Sequence, residues 1–287
     1  MKLWSSFRDG VLLREGSTRA VGLMRVGLGL LIWSRWAMEV APYWKAHPQH
    51  WALAVVFFPI SATLTLGIAS QASAALMALV LWTMRMYFGY SLGMEEWTHH
   101  HTNLLVMATT LLALTPCGRS FSVDRYLAVR RARARGEALP AESGPLWAVS
   151  LMAVQVSTLY LWSAWDKCNA AFLSGERLEH MYVRWYFFDY PDWPWFSPAA
   201  QAFAIVTIII EVVLPVGLFV RRWQWWLIPT GLMLHGVFYI LLPVGTFSLT
   251  MALLYLAYVD PQVVHRAIDE LLGRVDASGG SEPAQRG

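Results

Sequence analysis

Lys167 is the residue of this chain whose type and setting most invite chemistry. It sits in an apolar, aromatic run from Leu159 to Gly175, LYLWSAWDKCNAAFLSG, beside Asp166 and Asn169. An ionisable group at the mouth of a membrane helix is costly to place and is a functional candidate for that reason. Two readings stand open. In one, the lysine snorkels to the interface and pairs with a nearby acid, Asp166 being adjacent. In the other it turns inward, where burial disfavours an ammonium ion and leaves a usable general base.

Three histidines offer further chemistry. His99, His100 and His101 are consecutive, and consecutive helical positions point about 100° apart, so they cannot share one ion. Helical metal sites want spacings of three or four, and no metal is expected here. His101, as the member pointing inward, is the candidate for a polar contact or proton transfer. His235, in GLMLHGVFY, lies inside an apolar stretch where its ring nitrogens need partners. It is either a core histidine bonded to a neighbouring helix or part of a site. Glu211, in TIIIEVVLP, is expected to be structural, paired with an arginine such as Arg25 or Arg35.

The elements that must position these residues are membrane helices. Of 287 residues, 56% are hydrophobic and 14% charged, against roughly a quarter charged in soluble domains. The sixteen Trp and eleven Tyr suit a protein with two membrane interfaces. A net charge of +3 is too small to argue for nucleic acid. The P-loop, the dinucleotide glycine fingerprint, GxSxG and HExxH are all missing from the sequence.

Spanning a bilayer takes about 20 helical residues. Eight apolar stretches qualify, near 18–41, 51–69, 72–92, 101–117, 145–167, 198–220, 223–241 and 244–259. Pro243 separates the last two weakly, so seven spans remain an alternative. With the N-terminus inside, the cytoplasmic loops hold Arg119, Arg125, Arg130, Arg131, Arg133 and Arg135, then Arg221 and Arg222, then Arg266 and Arg274. Of the opposite loops, one holds Glu95 and Glu96, 242–243 holds no charge, and the long 169–198 carries Glu176, Arg177, Glu179 and Arg184. That is a positive-inside pattern. The expected fold is therefore all-α and polytopic, with about eight transmembrane helices and both termini cytoplasmic. Residues 1–17 are expected as an interfacial amphipathic segment, 18–260 as the membrane domain and 261–287 as a largely disordered cytoplasmic tail. On this topology Cys117 and Cys168 face opposite sides of a core about 30 Å thick and cannot bridge. The long loop 169–198, rich in Trp, Tyr and Phe, reads either as a lid or portal for a greasy ligand or as an interfacial anchor.

Three stretches in register carry a resemblance: HTNLLVMATTLLAL with SVDR following (His101 to Arg125), LYLWSAWDKCNAAFLSG (Leu159 to Gly175) and MLHGVFYILLPVGTFSLTMALLYLA (Met233 to Ala257). The chain resembles the integral-membrane part of vitamin K-dependent gamma-glutamyl carboxylase and its bacterial relatives, the HTTM (horizontally transferred transmembrane) family, over roughly residues 18–260. The resemblance implies that Lys167 is the base that deprotonates a reduced vitamin K or menaquinol-type quinone, with O2 and CO2 as co-substrates. In the carboxylase the resulting vitamin K alkoxide takes a γ-proton from a peptide glutamate, whose carbanion captures CO2. It implies that His101 and His235 are polar partners of the bound quinone, and that Trp162, Asp166, Asn169 and Phe247 stand beside it. The carboxylase has another lysine where Asp166 stands here. It also has a large extramembrane region after its spans; here residues 261–287 follow. The implied location is a multi-pass protein of the cell membrane with its active site facing the periplasm or exterior, and a secreted peptide is an implied partner. The alternative is a non-enzymatic membrane protein, such as a secreted-peptide maturation helper or scaffold, in which Lys167 pairs with Asp166 and no cavity lies behind it.

Overall fold

The computed structural model describes residues 15–41, 48–187, 189–242 and 244–273, without the side chains of residues 48–50, 96, 100 and 101. The apolar stretches coil because a backbone in lipid must satisfy its own N–H and C=O groups. The helices are α1 (Arg19–Val40), α2 (Pro48–Leu66), α3 (Ser70–Met84, continued by a π-helical turn, Arg85–Ser91), α4 (Glu95–Thr98), α5 (His100–Ala113) and α6 (Val123–Arg135). There follow α7 (Trp147–Lys167), α8 (Ala170–Leu173), α9 (Glu176–Tyr182, continued by a π-helical turn, Val183–Phe187), α10 (Phe196–Gly217), α11 (Arg221–Leu241), α12 (Gly245–Leu254, with a 3-10 turn to Ala257) and α13 (Pro261–Leu271). One short antiparallel strand pair, β1 (Glu15–Ser17) with β2 (Ser143–Pro145), interrupts an otherwise all-α fold.

A helix occupies each of the eight apolar stretches. By length and composition three are long and apolar enough to cross a membrane: residues 70–91, 147–167 and 196–217. A fourth joins them if 245–257 and 261–271 are counted as one span bent by 103°. Helices α2 and α5 contain shorter apolar runs. Two expectations change at the ends of the chain. Residues 15–17 form a strand where an interfacial helix was expected, and the rest of that segment lies outside the described residues. Residues 261–271 form a helix where a disordered tail was expected. Asp260 caps it, its side chain accepting from the Gln262 N–H at 2.8 Å, and Pro261 takes the first-turn position.

The end of the bundle that carries the strand pair is tied by charge. Arg19, buried at the start of α1, bonds Glu142 through Nε at 2.8 Å and Asp269 of α13 through Nη1 at 2.7 Å. Arg25, expected as a partner for Glu211, instead donates to the backbone carbonyls of Cys117 and Phe121. Arg35 pairs with Glu39. Both cysteines are free, Cys117 buried and Cys168 exposed. At the opposite end Trp36, Trp97 and Phe88 stack in series, with ring centroids 5.7 and 4.8 Å apart.

Asp124 of α6 caps a different helix. It accepts the N–H of Ala69 at 2.9 Å, the N–H of Ser70 at 2.7 Å and the Ser70 hydroxyl at 2.7 Å, satisfying donors that the first turn of α3 leaves without partners. Burial alone would raise this carboxyl, but those bonds and the charge of Arg25 hold it below the ordinary carboxylate value. Asp124→Ala is expected to destabilise the protein by about 1 kcal/mol, read as a lower unfolding temperature in detergent. Because the folded value is depressed, the Asp124 contribution is complete above the ordinary carboxylate value of about 3.9 and is lost as pH falls through the folded value. The gap between wild type and variant should therefore close in acid and persist at neutral pH.

Candidate active site

Lys167 is the last residue of α7. Helical side chains lean toward the N-terminus of their own helix, so its stem runs back one turn to Ser163. There Nζ donates to the Ser163 hydroxyl and to the Glu211 carboxylate of α10, at 3.0 Å to Oε1 and 2.9 Å to Oε2. Ser163 Oγ donates to the same Oε1 at 3.2 Å. The Glu211 side chain is 4% exposed and that of Lys167 20%. Two charges in so apolar a wall persist because each compensates the other; either one alone would be an uncompensated buried charge. The partner of Lys167 is thus Glu211 and not Asp166, which is exposed and makes no ion pair among the described residues. Glu211 in turn pairs with neither Arg25 nor Arg35.

The pair stands in the wall of a cavity of about 410 Å³. Apolar walls come from Leu159, Phe203, Phe238, Leu242 and Phe247, with one polar patch formed by Ser163, Lys167, Thr207 and Glu211. Trp162 and Asp166 also line it. So do Phe172, Arg177, Leu178 and Met181 of the long aromatic loop, which folds into α8 and α9. Gly175 lets that loop close. Its φ is +85°, and a Cβ there would sit 2.5 Å from the Gln201 backbone nitrogen, so a side chain is excluded twice over. Gln201 is ten residues before Glu211 on α10, or about 15 Å of helix. The ion pair is therefore recessed beneath this contact. Tyr186, whose hydroxyl donates to the Ile240 carbonyl at 2.5 Å, and Glu179, which accepts from Tyr190 and Ser197, pin the loop further.

His235, 2% exposed, lies behind the cavity wall, its ring centroid 5.8 Å from those of Phe238 and Phe247. Its Nε2 is 2.5 Å from the Tyr160 hydroxyl, which is 2.6 Å from that of Tyr255. Gly231 makes room for this chain, since a Cβ there would stand 1.8 Å from the Tyr255 hydroxyl oxygen. His235 Nδ1 is buried with no hydrogen-bond partner among the described residues, as is Thr207 Oγ1. The latter is unusual for a helical threonine: Thr109, Thr110, Thr230 and Thr250 all bond back to the carbonyl four residues earlier.

A family model, the HTTM domain, matches residues 21–262. The chain belongs to the HTTM family. Comparison with curated proteins and with solved structures returned no match. Family and apolar helices together make this HTTM protein a membrane protein related to the carboxylase family.

Of the expected site residues, Lys167, Asp166, Trp162 and Phe247 line one cavity of the HTTM domain, with His235 packed behind Phe247. Asn169 is not among the lining residues. It caps α8, its Oδ1 accepting from the Phe172 N–H at 3.0 Å. His101 lies in the first turn of α5, and its side chain is outside the described residues. Ser163, Thr207, Glu211 and Tyr160 went unrecognised as site members. A spacing signal was there: Ser163 and Lys167, like Thr207 and Glu211, are four apart and share a helix face.

The two hydrogen-bonding patterns separate in a stability measurement. Tyr160→Phe strands His235 Nε2 and the Tyr255 hydroxyl in the interior and should cost about 1–3 kcal/mol. Thr207→Val removes a hydroxyl with no intramolecular bond to lose and should leave the unfolding temperature in detergent unchanged or raised.

Proposed function

We propose that this protein is a membrane enzyme that binds a reduced quinone in the cavity beside Lys167 and uses Lys167 to move a proton from the ring hydroxyl. We place eight helices across the cell membrane with both ends of the chain cytoplasmic and the cavity opening to the exterior. The arrangement of loops supports that placement. The arginine-rich segments around Arg119, Arg125 and Arg221 bond Ser143, Pro140 and Asp260, all at the end that carries the strand pair, while Lys167 ends α7 at the other.

The observation that carries the functional reading is a recessed cavity of about 410 Å³ with largely apolar walls and a buried ion pair, Lys167 with Glu211, set into one of them. Small-molecule sites have this composition and size. The residues present fit a fused aromatic ring: Phe203, Phe238 and Phe247 offer faces and edges to it, and Thr207 offers an unpartnered hydroxyl to a ring oxygen. When bound, a reduced quinone of the vitamin K or menaquinol type supplies, with O2, the strong base that carboxylation of a peptide by CO2 requires. The chain's own contribution is binding and proton handling. Trp162 and Asp166 flank the cavity, Lys167 Nζ receives the ring proton, and the α8–α9 lid limits water. We assign His101 and His235 as polar partners of the ring oxygens. His235 is held by Tyr160 with Nδ1 free, and it stands behind Phe238 and Phe247, so one of those rings must turn for direct contact. A secreted peptide is the proposed acceptor. A scaffold with Lys167 paired to Asp166 and no cavity behind it fits these contacts less well.

Membranes carrying the wild type and supplied with reduced menaquinone or vitamin K should form the epoxide, and Lys167→Ala should lower the rate by about 10²–10⁴-fold, the usual contribution of a positioned acid–base group. Epoxide formation unchanged in Lys167→Ala, or none from the wild type, would refute the base role.

A further inference from the structure

We infer that Glu211 is the final proton acceptor of this site and that Lys167 is the cation through which the proton passes, an inference that rests on the quinol reading above. Its starting point is the number of contacts at Nζ. The amine faces both oxygens of Glu211, at 3.0 and 2.9 Å, the Ser163 hydroxyl and, at 3.5 Å, the Ser163 carbonyl. An ammonium group has three N–H donors, and these acceptors use them all. In that arrangement Nζ has no lone pair with which to take a proton. The group with lone pairs to spare is the carboxylate, which Ser163 and Lys167 orient from one side.

The proton step balances in two moves. An Nζ–H bond first breaks as an O–H bond forms on Glu211, which leaves Nζ a lone pair, and the hydroxyl O–H bond of the ligand then breaks as a new N–H bond forms at Nζ. Before the step the site holds a neutral hydroxyl, an ammonium and a carboxylate; after it, an oxyanion, an ammonium and a carboxylic acid. The number of charges does not change, and the anion merely moves from one side of Lys167 to the other. A neutral lysine acting alone would have to create two charges from none in an apolar cavity, the arrangement that low dielectric penalises most.

Thr207 gives independent support for a ligand hydroxyl at this patch. It lies one turn before Glu211 on the cavity face of α10, is 1% exposed, and has no hydrogen-bond partner among the described residues. A ligand oxygen between Thr207 and Lys167 would satisfy that hydroxyl and stand next to Nζ.

The test uses the full-length protein in detergent and a methylated naphthol, which has the fused ring and a single hydroxyl and whose absorption spectrum distinguishes naphthol from naphtholate. The wild type should bind it as naphtholate, and its infrared difference spectrum should gain the carbonyl band of a protonated carboxylic acid. Glu211→Gln should still bind the naphthol but leave it neutral, and turnover of vitamin K hydroquinone should fall by about 100-fold or more. Glu211→Asp, which keeps the acid, should restore part of the naphtholate signal. Naphtholate in Glu211→Gln at the wild-type level, or naphtholate in the wild type without the acid band, overturns the inference and leaves Lys167 as the base. Naphtholate in Lys167→Met, or a wild type that leaves the naphthol neutral or unbound, defeats the quinol reading itself. Should Glu211→Gln fail to fold, the wild-type infrared band decides alone.

Discussion

The contact between Lys167 and Glu211 is the constraint around which this end of the bundle is arranged. A lysine and a glutamate do not enter an apolar wall separately, because each costs several kcal/mol of lost hydration. Together they fix the depth at which α7 meets α10, and Ser163 adds a hydrogen bond that orients the carboxylate. A second tie lies about two turns deeper, where the Ser157 hydroxyl donates to the Pro215 carbonyl at 3.1 Å. With the two helices held by polar contacts at two levels, the space between the pair and the α8–α9 loop need not be filled by side chains. That space is the cavity.

A second polar device stands behind the opposite wall. Tyr160, Tyr255 and His235 form a buried chain of short hydrogen bonds, and Tyr258 continues the polar layer with Ser157 and the Ala153 carbonyl. Such networks are stable when nearly every member is satisfied, and they then impose one geometry. Here one atom is left over, His235 Nδ1. Thr207 Oγ1 is another unpartnered buried atom among the described residues, and it lies on the cavity face of α10, where a ligand oxygen could reach it directly.

Much of the fold was legible in the chain because its signals are local. Apolar stretches of the right length became helices at each expected place, and Gly175 ended the run that begins at Leu159 for a reason only packing reveals, its contact with Gln201. The special position of Lys167 was also legible, since a cation at an apolar helix end is conspicuous in any sequence. Its partner was not. Asp166 is adjacent in sequence but points off another side of the helix, whereas the lysine stem folds back a full turn to the level of Ser163 and reaches α10. The arginines expected to pair with Glu211 are already held, Arg25 by carbonyl oxygens and Arg35 by Glu39. Tyr160 and Thr207 escaped notice because an aromatic and a threonine in an apolar helix are ordinarily core.

Membership of the HTTM family, a recessed apolar cavity and one ionisable pair together support a quinol site in which the chain manages a single proton. The most direct measurement is a cryo-electron microscopy structure of the purified protein with bound vitamin K hydroquinone or menaquinol. Ring density should lie among Phe203, Phe238 and Phe247, with one oxygen within hydrogen-bonding distance of Lys167 Nζ and Thr207 Oγ1. Density for the ring elsewhere on the protein, or a cavity occupied by lipid tails with the Lys167–Glu211 pair untouched by any ligand oxygen, would contradict it.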